Sequence, residues 1–271
     1  MAMDQSQLID RISDALRDDT AIRGLFLAGS FGRGTDDRLS DVDFIALIET
    51  DAQDDMLARW RDLLDTITPI VFWRVRRQGG ILVNAISQDW LRCDLSVMPP
   101  SALTDYARNT LKPRIDRDDI YQTLPAERPA KGPDAAKVEY LIQEFLRVLG
   151  LLPVVIGRQE YLTAVSGAGM LRDLFTNLLL ETVATSGRGG ALHLSRNLPP
   201  ADMQMLMSLP SPGPQRQAVT EAHFDIARQF LPRAHTLATT LNLDWPEAFQ
   251  KATIEHLARQ LGPSPDWNAL I

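Results

Sequence analysis

Between Gly29 and Asp43 the chain reads GSFGRGTDDRLSDVD. A Gly-Ser pair is followed, after ten intervening residues, by two aspartates that flank Val42. Residues i and i+2 of a strand share a face. Asp41 and Asp43 can therefore project together while Val42 points into a core. Mg²⁺ takes hard oxygen ligands, often one or two carboxylates completed by phosphate oxygens and water. The turn before them suits those phosphates. Gly29 lets the backbone adopt a conformation other residues resist, and Ser30 offers a hydroxyl and an N–H at what reads as the start of a short helix, where anions are favoured. Arg33 adds a guanidinium whose fork matches phosphate geometry. Gly29, Ser30 and Arg33 on one side, and Asp41 and Asp43 on the other, make the two halves of a nucleoside triphosphate and metal site.

These residues need strands to hold them. One apolar run, Gly24 to Ala28, ends at the turn, and another, Phe44 to Ile48, begins at the second aspartate. A Gly-rich turn alone or an Asp-x-Asp alone is common in solvated loops. The two together, at this spacing and between two strand-like runs, favour the catalytic reading.

The stretch resembles the signature of the nucleotidyltransferase superfamily, whose catalytic core is similar to that of DNA polymerase beta. The resemblance implies a third carboxylate on a later strand. Asp94, in the run WLRCDLSV from Trp90 to Val97, is the residue that fits. By alternation Leu91, Cys93, Leu95 and Val97 share one face, and Arg92, Asp94 and Ser96 share the other. The reading that competes with catalysis is an exposed strand residue paired with Arg92. The segment from Gly80 to Leu103 further resembles the corresponding stretch of bacterial aminoglycoside 6-adenylyltransferases. The likeness implies that an acceptor hydroxyl attacks the α-phosphate of ATP or another nucleoside triphosphate and that pyrophosphate leaves. Mg²⁺ would be held by Asp41, Asp43 and Asp94, in a site where two metals about 4 Å apart can clamp the attacking and leaving oxygens. Asp94 would bind the metal nearer the hydroxyl or take its proton.

With 271 residues the chain is long enough for one large or two modest domains. Its net charge of −7 and pI near 5.1 disfavour a nucleic-acid partner, which calls for a basic face, and suit a cationic small molecule better. One cysteine, Cys93, excludes an internal disulfide. Four scattered histidines make no metal cluster. The start is not a signal peptide, and the longest apolar run, Leu149 to Ile156, contains Pro153 and is too short to span a bilayer. A cytoplasmic protein with no membrane partner is expected.

Hydrophobic spacing predicts a helix over 6–17, strands at 23–27 and 43–48, a helix over 51–67, and strands at 70–75, 81–87 and 91–97. Gln78-Gly79-Gly80 reads as a turn. Prolines 113, 125, 129 and 133 among many charges read as a linker over 112–133. Helical spacing then covers about 134–149, 161–185, 203–209, 215–240 with a break or kink at Pro232, and 246–261, with Ser186 to Gly190 as a stop. The fold expected is α+β: a small mixed-sheet nucleotidyltransferase domain over 1–111, the linker, and an all-α helical-bundle domain over 134–271. Glu139, Glu144, Asp173 and Glu181 on those helices could meet a cationic acceptor only if they face a cleft. More often such residues are solvated.

The function expected is transfer of a nucleoside monophosphate, with ATP leading, to a hydroxyl of a small molecule, for which the resemblance implies an aminoglycoside-like acceptor. Two alternatives remain open: transfer to a protein or RNA, as in antitoxin-like members, and nucleotide binding without reaction. Relatives that pair subunits leave a homodimer open by analogy.

Overall fold

The computed structural model describes residues 3–77, 79–185 and 194–270. The chain divides into two compact units between Pro129 and Ala130.

The first unit begins with α1 (Gln5–Ala15). Asp4 caps it, accepting from the Gln7 amide while the Gln7 side chain accepts from the Asp4 amide, a reciprocal arrangement that satisfies two orphan donors. Then follow β1 (Gly24–Leu27), the short α2 (Gly29–Arg33), β2 (Val42–Leu47), α3 (Gln53–Ile67), β3 (Ile70–Arg76), β4 (Ile81–Ser87), β5 (Arg92–Met98), β6 (Lys112–Asp116) and one turn of α4 (Ile120–Thr123). The six strands form one sheet in the order β3-β4-β5-β2-β1-β6. Only β2 and β5 run parallel; the other neighbours are antiparallel.

Alternation along the strands sorts the side chains. One face packs under the helices: Val42, Phe44 and Ala46 of β2 and Cys93, Leu95 and Val97 of β5 join Leu8, Ile9, Ile12, Met56, Trp60 and Leu64. Cys93 is buried there, and burial pushes its thiol pKa up. The opposite face carries Asp43, and further along β2 Ile45 and Leu47 bury against Leu103, Leu111 and Leu124. One sheet face thus starts polar at the head of β2 and becomes a small core along it.

Residues 112–116, read above as the start of a linker, form the edge strand β6. Pro113 is tolerated there because an edge strand need not donate to a neighbour at every residue. The compact unit continues to Pro129. The proposed turn at Gln78 lies partly outside the described residues.

The second unit is helical: α5 (Ala135–Gly150), α6 (Leu152–Gly157), α7 (Tyr161–Glu181), α8 (Leu194–Asn197), α9 (Pro200–Ser208), α10 (Arg216–Thr240) and α11 (Glu247–Leu261). Its core includes Leu141, Phe145, Leu171, Phe175, Phe230 and Ile254. Phe145 and Phe230 stack with ring centroids 3.6 Å apart, and Phe175 meets Phe230 edge-on. The stretch 135–157 is long and apolar enough by composition to cross a membrane, yet Val138, Leu141, Phe145, Leu149 and Leu152 are core residues of this unit. Pro153 follows the end of α5 at Gly150 and sits in the first turn of α6, where its missing N–H costs nothing. Pro232 lies inside α10, which runs on without interruption. The stop expected at Ser186 to Gly190 lies outside the described residues.

Candidate active site

The site grows out of two strand ends. Leu27 ends β1, and Gly29 opens α2 at φ +57°. The Ala28 amide donates to the Asp43 carbonyl at 2.8 Å, so the turn is stitched to the start of β2. At Gly32 a Cβ would lie 2.3 Å from the Thr110 carbonyl oxygen; only glycine lets α2 approach that backbone. Ser30 is buried, and among the described residues its Oγ has no hydrogen-bond partner. A buried hydroxyl without a partner costs free energy, and a phosphate oxygen is a partner that would remove the cost. Arg33 is exposed at the end of α2 and lowers the pKa of Asp43 through its charge.

The carboxylates come together. Asp41 stands just before β2, Asp43 within it, and Asp94 is the direct register partner of Asp43 on β5. One oxygen from each of Asp41, Asp43 and Asp94 lies within 4.8 Å of the others, a grouping that could hold a metal ion. Burial, then Asp41 and Asp94, pushes the Asp43 pKa up to about 6, with Arg33 and Arg92 opposing. Burial also raises Asp94, against a hydrogen bond from Asn84 that lowers it. Three carboxylates crowded at a half-buried spot repel one another, and a divalent cation is the natural relief. The donor set of hard oxygens fits Mg²⁺ or Mn²⁺.

Every sequence-derived site residue therefore falls on the turn or the sheet face beside it. Arg92, which the reading that competes with catalysis pairs with Asp94, ion-pairs with Asp41. Its Nη1 lies 3.4 Å from Asp41 Oδ2, and its Nη2 donates to the Leu39 carbonyl at 2.9 Å. Asp94 instead accepts from Asn84 Nδ2 at 2.6 Å. Asn84 was missed because a carboxamide on an alternating strand has no local signature; finding it needs the β4–β5 register. Half-buried Tyr106 was missed as well, because it lies in the irregular stretch after β5, where no periodicity marks it; its phenol pKa is raised by burial and then by Asp105 and Asp43.

The acidic helix residues are accounted for otherwise. Glu181 is fully buried, accepting from the Asp134 amide at 2.9 Å and ion-pairing Lys137 at 2.9 Å. Glu144 pairs with Arg147 at 2.6 Å. Glu139 and Asp173 are exposed.

A mixed sheet with helices on one face, a Gly-Ser turn and three converging aspartates on the other define a nucleotidyltransferase. Residues 3–260 match the streptomycin adenylyltransferase family, and the chain belongs to it. Among solved structures it is similar to an aminoglycoside 6-adenyltransferase from Bacillus subtilis, with 16% identity and a TM-score of 0.44 over 94% of this chain and 98% of that one. It is similar also to terminal uridylyl transferase 4 from Trypanosoma brucei with bound UPU, with 17% identity and a TM-score of 0.26 over 84% of this chain and 67% of that one. No curated protein matches it.

Proposed function

We propose that this enzyme transfers AMP from ATP to a hydroxyl of a small, aminoglycoside-like acceptor and releases pyrophosphate. The observation that carries this reading is the meeting of Asp41, Asp43 and Asp94 beside the Gly29–Ser30 turn, where Asp43 Oδ2 abuts Gly29.

Each residue has a task in it. Ser30 and the α2 backbone bind phosphate oxygens, and Arg33 balances their charge. Asp41, Asp43 and Asp94 hold divalent metal, Mg²⁺ by preference. When bound, the metal supplies charge neutralisation for the phosphates and lowers the pKa of a hydroxyl. Asp94 holds the metal nearer the acceptor hydroxyl or takes the proton of that hydroxyl, which does not ionise freely at neutral pH. Gly29 and Gly32 keep the turn close to the sheet.

The test uses Mg²⁺ and α-labelled ATP with a panel of aminoglycosides, beside the Asp41→Asn/Asp43→Asn variant. Label passing to one acceptor, and lost in the variant, establishes reaction and acceptor class together. Tight Mg²⁺-ATP binding with no transfer to any panel member refutes the aminoglycoside-like acceptor. Absence of nucleotide binding refutes the whole reading.

A further inference from the structure

The site face of the sheet carries a straight row of residues across four strands. Arg74 of β3 registers with Asn84 of β4, Asn84 with Asp94 of β5, and Asp94 with Asp43 of β2. Within this row Asn84 is the link between the acidic cluster and the basic edge. Its Nδ2 donates to Asp94 Oδ2 at 2.6 Å, and its Oδ1 accepts from Arg76 Nη2 at 3.1 Å.

Neither bond can be reversed. An ionised carboxylate only accepts and a guanidinium only donates. Asn84 between them has one orientation that satisfies both, with the nitrogen towards Asp94 and the oxygen towards Arg76. A terminal carboxyl torsion is otherwise broad and roughly two-fold, so an unpinned Asp94 would sample many directions. Backbone register alone sets where the Asp94 Cβ stands, not where its oxygens point.

We propose that Asn84 is a positioning residue for Asp94, and that Arg76 holds Asn84 in the orientation this needs. The assignment rests on the reading of Asp94 as part of the metal and transfer site. Asn84 pins one carboxylate oxygen and thereby aims the remaining lone pairs at the space shared with Asp41 and Asp43. Arg76 keeps the amide from turning over.

The test compares Asn84→Leu, Asn84→Gln, Arg76→Met and the Asn84→Leu/Arg76→Met pair in the full chain. The readouts are Mn²⁺ affinity by electron paramagnetic resonance without acceptor, and kcat and KM for ATP. Partners that orient metal-ligating groups change affinity or activity about 10–100-fold when removed. Asn84→Leu is expected to lose that much in kcat and about tenfold in Mn²⁺ affinity, with KM for ATP little changed. Asn84→Gln, which keeps the amide, recovers part of both. Arg76→Met loses less, and the pair is little worse than Asn84→Leu alone, the non-additivity of residues that share one hydrogen-bonded link. Wild-type Mn²⁺ affinity and kcat in Asn84→Leu overturn the assignment, and losses that multiply in the pair overturn the role given to Arg76. If Asn84→Leu does not fold, Asn84→Gln and Arg76→Met carry the same test, because both keep a side chain able to fill the sheet face. A protein that binds Mn²⁺, loses it in Asp41→Asn/Asp43→Asn and transfers nothing would sink the reaction while leaving the Mn²⁺ comparison to decide on Asn84.

Discussion

Asp43 Oδ2 fills the space where a side chain on residue 29 would begin. A Cβ built at Gly29 would lie 1.8 Å from that oxygen, and Gly29 stands at φ +57°. The turn that meets the phosphates and the carboxylate that meets the metal are therefore in direct contact, and each limits the other.

Gly29→Ala is expected to damage the site twice over. The left-handed conformation costs an alanine about 1–2 kcal/mol, and the new methyl drives the Asp43 carboxylate from its place. Nucleotidyl transfer should fall at least 100-fold, with a smaller loss of thermal stability. Transfer assays and a melting curve on the same sample check both, and near-normal transfer would contradict the contact.

Asp43→Asn should stabilise the metal-free protein at neutral pH. The folded chain keeps a proton on Asp43 up to about pH 6, whereas an unfolded aspartate releases it near 3.9. Stability from this group is fully present below the unfolded value and is lost as the pH rises through about 6. At pH 7.5 the wild-type protein bears the whole cost of a buried charge, about 1–3 kcal/mol, which the amide does not. Chelator-treated samples melted at two pH values test this: a gain at 7.5 that disappears near 4 is expected, and an equal gain at both would assign it elsewhere.

Metal affinity should follow the same proton. Ligands must be deprotonated to bind, so Mn²⁺ affinity is expected to be level above pH roughly 7 and to weaken as the pH falls through about 6, where Asp43 takes up its proton. A Mn²⁺ titration across pH shows it. An affinity unchanged down to pH 5 would mean that Asp43 is not a ligand.

In the helical unit, Phe230 is fully buried between Phe145 and Phe175. Phe230→Ala removes both ring contacts and leaves a cavity, at a cost of about 3–5 kcal/mol. Denaturant unfolding followed by circular dichroism measures it; a loss under 1 kcal/mol would mean the surrounding helices collapse into the space.

What the sequence made legible was local. The Gly-Ser turn and the Asp41/Asp43 pair lie within fifteen residues of one another (Gly29 to Asp43), and strand alternation alone puts both carboxylates on one side. Asp94 needed alternation on a second strand together with a resemblance, since nothing in Trp90 to Val97 says which strand it lies beside. Contacts between strands were hidden: Arg92 reaches Asp41, just ahead of the neighbouring β2, and Asn84 reaches Asp94 across β4 and β5. β6 was hidden for another reason. Its core contribution is Ile115 alone, flanked by charges and a proline that also suit a linker. The buried Glu181 looked like any other helix carboxylate, because its partners Asp134 and Lys137 belong to a different helix.

β2 and β5 are interior strands, each hydrogen-bonded on both sides, and they carry Asp43 and Asp94 as direct neighbours. Amides in such strands exchange with solvent only in the largest opening events, while frayed edges and loops open alone. The two carboxylates are thus mounted on strands expected to open last in their unit. The backbone register that sets them side by side should persist until the sheet itself comes apart.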